Sequence, residues 1–251
     1  MTRLVLGIDV GGSGIKGAPV DLDRGAFAAE RLRLPTPEGA RPAEVADVIG
    51  RICAHFADVL DGDDVPVGVT VPGVVTHGVV RSAANIHPSW VGTDADRLFS
   101  GRLGRRVVVV NDADAAGLAE LRHGAAKGHD GLVIVTTLGT GIGSALLHRG
   151  ALVPNSELGH LEIDGHDAES RAADSARERE DLSWQEWAQR LQRYYSVVED
   201  LFWPDLLVVG GGVSKKADKF LPHLHLRAPI VPATLRNAAG IIGAAQLAAE
   251  S

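Results

Sequence analysis

Apolar residues in this chain fall into short continuous runs that alternate with segments of helical spacing. Arg106-Val107-Val108-Val109-Val110 carries four consecutive valines, the make-up of a strand buried on both faces. Runs of this kind predict strands over 3–9, 65–71, 106–111, 131–137, 143–148 and 205–209. Apolar positions three and four apart predict helices over about 42–60, 113–127, 183–203 and 238–250. Strands alternating with helices define the class as α/β.

The segment from Trp184 to Trp203 has the clearest helical pattern. Ser183 and Glu186 have the spacing of a capping box, Trp184, Trp187, Leu191, Tyr194 and Val198 form one apolar stripe, and Pro204 closes it. The stripe reads as core or subunit interface rather than as a sugar platform. Residues 164–182 are polar and read as an exposed loop with some helix. Composition breaks near 99–106, and a domain boundary is expected just after it. The expected units are 1–110, 111–237 and a final helix, 238–251, that returns to the first domain because Ile241, Ile242 and Leu247 need a surface to cover.

A length of 251 residues allows one large or two modest domains. No apolar run approaches the roughly 18 residues that span a bilayer, and the N-terminus enters a strand without a cleavable signal pattern. Cys53 is the only cysteine and falls on the apolar side of the 42–60 pattern, so no disulfide framework forms and a cytoplasmic location is expected. A net charge of −7 argues against general nucleic-acid binding. Local basic runs remain: Arg171, Arg177 and Arg179, and Lys215, Lys216 and Lys219.

The chemistry gathers where strands end. Asn111-Asp112 follows the valine run, placing a carboxylate at the carboxyl edge of a sheet, where open α/β folds bind ligands. Two other strands run into glycine turns, Asp9-Val10-Gly11-Gly12-Ser13-Gly14 and Thr137-Leu138-Gly139-Thr140-Gly141-Ile142-Gly143, each followed by a second apolar run. Such turns present successive backbone N–H groups to an anion. Neither has the Gly-Lys-Ser/Thr ending of a Walker loop or the pattern of a dinucleotide fold. This repeated unit suggests two similar halves facing across a cleft. One acid between two phosphate cradles points to phosphoryl transfer.

Asp9-Val10-Gly11-Gly12-Ser13-Gly14-Ile15-Lys16, Asn111-Asp112, Leu138-Gly139-Thr140-Gly141-Ile142-Gly143, Glu157-Leu158-Gly159-His160 and Gly210-Gly211-Gly212 resemble, in order and spacing, the motifs of the ROK family of sugar kinases. The resemblance covers nearly the whole chain. It implies two actin-like ATPase (ribonuclease H-like) domains flanking a cleft. Val71-Pro72-Gly73-Val74-Val75, Ala84-Asn85-Ile86-His87-Pro88-Ser89-Trp90 and Trp203-Pro204-Asp205-Leu206 are most similar to the polyphosphate-using glucokinases of actinobacteria.

The resemblance implies Asp112 as general base toward the sugar 6-hydroxyl. It implies Gly73, Asn85, Asn111, Glu157, His160 and Glu169 as further sugar ligands. Asp9, Gly11, Gly12, Ser13, Gly14, Lys16, Thr137, Gly139, Thr140, Gly141, Gly211, Gly212, Lys215 and Lys216 would meet the phosphate donor, with Asp9 holding Mg²⁺ through water. Glucose and inorganic polyphosphate or ATP are the implied partners, with neither nucleic acid nor membrane, and a homodimer is expected. Many family members follow the Glu-x-Gly-His motif with cysteines that, with the His, hold zinc. Here Glu162–Glu169 contains none, and no zinc is expected. A sugar-responsive repressor would need a helix-turn-helix before Leu4. A non-catalytic sensor would not need Asp112.

Overall fold

A computed structural model describes residues 4–59, 65–83 and 86–251. Arg3, residue 60 and Asn85, each part of an expectation above, lie outside them. The chain divides into two compact units, one running to Ala119 and taking up Ala238–Ser251, the other Glu120–Asn237.

The first unit opens with β1 (Leu4–Gly11) and β2 (Gly14–Asp21), an antiparallel hairpin closed by Gly12-Ser13. Short β3 (Ala26–Phe27) and β4 (Leu32–Leu34) both pair with β2. Helix α1 (Pro42–His55) follows, and β5 (Val67–Val71) pairs parallel with β1. A small hairpin, β6 (Val75–Thr76) and β7 (Val79–Val80), leads to α2 (Ala95–Leu103). Next, β8 (Val107–Asn111) joins β5 in parallel, and α3 (Asp112–His123) starts directly from its end. The sheet order is β3-β2-β1-β5-β8. Every residue of β5 is buried, as a central strand covered on both faces must be.

The domain boundary expected after residue 110 is corrected to fall after Ala119. The polar segment around Ser100–Arg106 is mostly helix α2, which starts on its Asp94 cap and ends at Gly104 with φ 64°. It is tied to the sheet by the Asp96 carboxylate accepting the Val109 N–H at 2.6 Å. The first turns of α3 also belong to this unit. Cys53 packs against its core, where burial pushes the thiol up to about 11.

The second unit holds β9 (Leu132–Leu138), β10 (Ile142–His148) and β11 (Ala151–Val153), an antiparallel meander. A hairpin of β12 (Glu162–Ile163) and β13 (His166–Asp167) turns on Asp164 and Gly165, both at positive φ. Short helices α4 (Ala168–Ala172) and α5 (Asp174–Arg179) are the helical part of 164–182, expected as an exposed loop with some helix. Helix α6 (Trp184–Phe202) has its capping box formed in both directions. Trp187, Leu191, Tyr194 and Val198 are buried, so that stripe is core. β14 (Leu206–Gly210) pairs parallel with β9, and β15 (Ile230–Pro232) with β14.

The last helix, α7 (Ala239–Glu250), packs on β1 and β5 of the first unit, burying Ile241 and Ile242. Its backbone lies directly on the sheet. A Cβ at Gly7 would stand 1.9 Å from the Ile241 carbonyl oxygen, and one at Gly68 1.9 Å from that of Ala244.

Candidate active site

In the first unit the glycine turn lies between Asp9 and Lys16, register partners across β1 and β2. Residues directly opposite share a face of the sheet. Lys16 Nζ accordingly donates to Asp9 Oδ2 at 3.3 Å, while Thr70, opposite Asp9 on β5, donates its hydroxyl to Oδ1 at 3.0 Å. Thr36 Oγ1 donates to the Gly11 carbonyl at 2.5 Å and steadies the turn. Lys16 therefore has a carboxylate partner of its own.

At the end of β8, Asn111 is buried and caps α3: its Oδ1 accepts the N–H groups of Ala113 and Asp114 at 2.8 and 2.9 Å. Its Nδ2 donates to the Gly73 carbonyl at 3.1 Å. Asn111 and Gly73, both sugar ligands by resemblance, are thus brought together, with Asn111 engaged as a cap. Asp112 follows as the first residue of α3, half-buried, where the helix dipole favours an anion.

In the second unit the turn between β9 and β10 carries Gly139, Thr140 and Gly141. Ser175, in α5, pins it: its N–H donates to the Gly139 carbonyl at 3.0 Å and its hydroxyl to that of Thr140 at 2.6 Å. Thr137 pairs with both Gly143 and Gly210. Gly211 sits at φ 81°, and a Cβ there would stand 2.2 Å from the Leu138 carbonyl oxygen, so only glycine fits beside β9. Gly212 begins the 3-10 turns that carry Lys215, Lys216 and Lys219.

Beside the Gly139–Gly141 turn, Glu169 Oε2 accepts the Ile142 N–H at 3.0 Å, and a Cβ on Gly141 would collide with that carboxylate. His160 Nδ1 is 2.9 Å from Asp167 Oδ2, and its Nε2 is 3.9 Å from Glu157 Oε2. The bond to Asp167 is the main cause that raises the His160 pKa. Burial raises that of Glu157, opposed by His160 and reinforced by Glu169. Glu157, His160 and Glu169, predicted from sequence, therefore form one cluster. Asp167 was missed; its only signal is a place three residues after Asp164 in a tight hairpin. His160, Asp167 and Glu169 each bring one ligand atom within 4.8 Å of the others, an imidazole and carboxylate set able to hold a cation.

The two basic runs of the sequence are partly brought together. Arg177, Lys216 and Lys219 gather over the Trp184 ring at 4.4, 5.5 and 5.6 Å. Arg177 is also ion-paired to Asp174 at 2.8 Å. Lys215 and Arg171 are exposed and take no part in that stack.

The chain belongs to the ROK family, whose sequence profile matches residues 5–173. Its architecture is the actin-like ATPase fold of ROK glucokinases. A Mycobacterium tuberculosis protein named polyphosphate glucokinase is 53% identical over 240 residues, 95% of this chain and 89% of that protein. The inorganic polyphosphate/ATP-glucomannokinase of Arthrobacter sp. strain KM superposes with a TM-score of 0.95 at 57% identity, over 99% of each chain. A ROK family glucokinase from Streptomyces griseus, solved in complex with glucose and AMPPNP, superposes with a TM-score of 0.85 at 25% identity, over 99% of this chain and 100% of that one.

Proposed function

We propose that this protein is a kinase that transfers a phosphoryl group from inorganic polyphosphate to the 6-hydroxyl of glucose, with ATP as a second donor. The observation that carries the reading is the 53% identity to a polyphosphate glucokinase over 95% of the chain, beside a family match over residues 5–173 that takes in the glycine turns and Asp112. Phosphoryl transfer asks the protein mainly for positioning and charge stabilisation. Asp112 is the proposed general base, within about 2.6–3.2 Å of the hydroxyl when glucose is bound. Asn111 Oδ1 accepts two N–H groups of α3, and the Asp112 carboxylate shares one of them, the Ala113 N–H, at 2.9 Å.

Glu157, His160 and Glu169, with Asn111, Gly73 and Asn85, are the proposed sugar ligands. A sugar hydroxyl buried without a partner costs about 1–3 kcal/mol, and carboxylates and an imidazole supply those partners. The amides of Gly11–Gly14 and Gly139–Gly141, with Thr137, Gly211, Gly212, Lys215 and Lys216, are proposed for the donor phosphates. A divalent metal accompanies the donor. Mg²⁺ is the proposed ion, which when bound would neutralise phosphate charge. Asp9 fits it: a hard carboxylate that accepts from Thr70 and from Lys16, with oxygen lone pairs left for a metal-bound water. A cytoplasmic homodimer is proposed, and exposed Leu201 and Trp203 offer it an apolar surface; sedimentation of the purified chain tests it.

The test is glucose phosphorylation with polyphosphate and with ATP, side by side. Product from ATP alone would leave a strictly ATP-dependent glucokinase. Mannose belongs in the same assay, because the 57% identical neighbour is named a glucomannokinase.

A further inference from the structure

We infer that Arg33 binds the donor's phosphates beside the first glycine turn, an inference that rests on the donor reading above. Strand register lines up four side chains at the turn end of the first unit's sheet: Thr70 with Asp9, Asp9 with Lys16, and Lys16 with Arg33. Partners in register share a face, so this row runs across β5, β1, β2 and β4. Its first three members are joined, since Thr70 and Lys16 both donate to the Asp9 carboxylate. The Lys16 charge is largely balanced there.

Arg33 ends the row in a different state. It is exposed, and no ion pair ties it to a carboxylate among the described residues. Its guanidinium is held on the turn itself, with Nη2 donating to the Ser13 carbonyl at 2.9 Å. The group lies over Gly14 so closely that a Cβ there would stand 2.6 Å from Nε. A Cβ at 14 would make the guanidinium shift from this position. A guanidinium has five donors in a planar fork suited to phosphate, and the Ser13 carbonyl engages one arm of it. Nε and Nη2 both lie against Gly14. Polyphosphate has no base or sugar to fill an apolar pocket, so its affinity rests on charge contacts. On a chain of net charge −7 a local cation of this kind counts for more.

Arg33→Gln keeps a donor for the Ser13 carbonyl and removes the charge. It should raise KM for polyphosphate about tenfold at low ionic strength, an effect that fades as salt rises. KM for glucose and the unfolding midpoint should stay as in the wild type, and Arg33→Lys should recover most of the affinity. Tripolyphosphate binding, measured by calorimetry without glucose, should weaken by the same factor. A wild-type KM for polyphosphate in Arg33→Gln overturns the inference. So does an equal rise in KM for glucose. A deficit in Arg33→Ala that Arg33→Gln lacks also overturns it, because the hydrogen bond to Ser13 would then be what matters. Should the wild type use ATP alone, the polyphosphate reading fails by itself. Arg33→Gln is then measured against ATP, where an unchanged KM overturns the inference independently.

Discussion

Gly243 stands where α7 meets α3, and a Cβ there would lie 1.7 Å from the Ala115 carbonyl oxygen. Real Cβ contacts essentially never fall below 3.0 Å, so Gly243→Ala must drive the two helices apart by more than an ångström. The contact is carbonyl against backbone, and no side-chain rotation can absorb it. Overpacking of a core costs about 1–3 kcal/mol. Here α7 must also lift Ile241 and Ile242 partly off the sheet, and each is worth about 1.5–3 kcal/mol when fully buried. A loss of about 3 kcal/mol is expected in urea unfolding. Ala115 lies one turn after Asp112, so the shift reaches the proposed base. A displacement of about 1 Å costs on the order of 10²-fold in rate, and kcat should fall accordingly at saturating glucose. Gly101 supplies the control: it is exposed within α2 with nothing within 4 Å of a built Cβ, and Gly101→Ala should stabilise by about 0.5–1 kcal/mol. Wild-type stability and kcat in Gly243→Ala would refute the reasoning. Lost stability with full kcat in the folded fraction would mean that α7 supports the sheet without placing Asp112.

Three further outcomes are expected. Asp112→Asn should lower kcat by about 10²–10⁴-fold with both donors and barely change stability, since Asn111 caps α3; intact kcat with lost glucose affinity would make Asp112 a ligand instead. Asp167→Asn should raise KM for glucose and lower the His160 pKa, read by NMR titration. Because folding raises that pKa, the imidazolium is the favoured form: the stability it adds is full below the unfolded histidine pKa and is lost as pH rises through the folded value. The wild type's advantage over Asp167→Asn should therefore shrink over that rise. Replacing Lys216 and Lys219 together by Ala should raise KM for long polyphosphate more than for ATP, and equal losses would point to a shared phosphate site or to packing on Trp184.

Much of this architecture is legible in the order of the residues. The strand of the valine run, the two glycine turns and the capped Trp184–Phe202 helix follow from local rules, because an apolar run, a tight turn with close backbone approach and an N-terminal cap each demand particular residues at fixed spacing, although β8 lies at the sheet edge with Val108 and Val110 only half-buried. The helix Ala95–Leu103 was hidden in a polar segment, where its tie to the sheet, Asp96 on the Val109 amide, joins residues 13 apart. The sequence marked Asp112 at a strand end, and the family resemblance marked Glu157, His160 and Glu169. Only the folded chain decided how they are held: Asn111 turned inward as a cap, and Asp167 came onto His160 through a hairpin turning at Asp164 and Gly165. It also set Lys16 on Asp9, left Arg33 on the glycine turn, and drew three scattered cations over Trp184. Strand register and helix packing make these pairings, and they bring together residues whose separation along the chain carries no local signal.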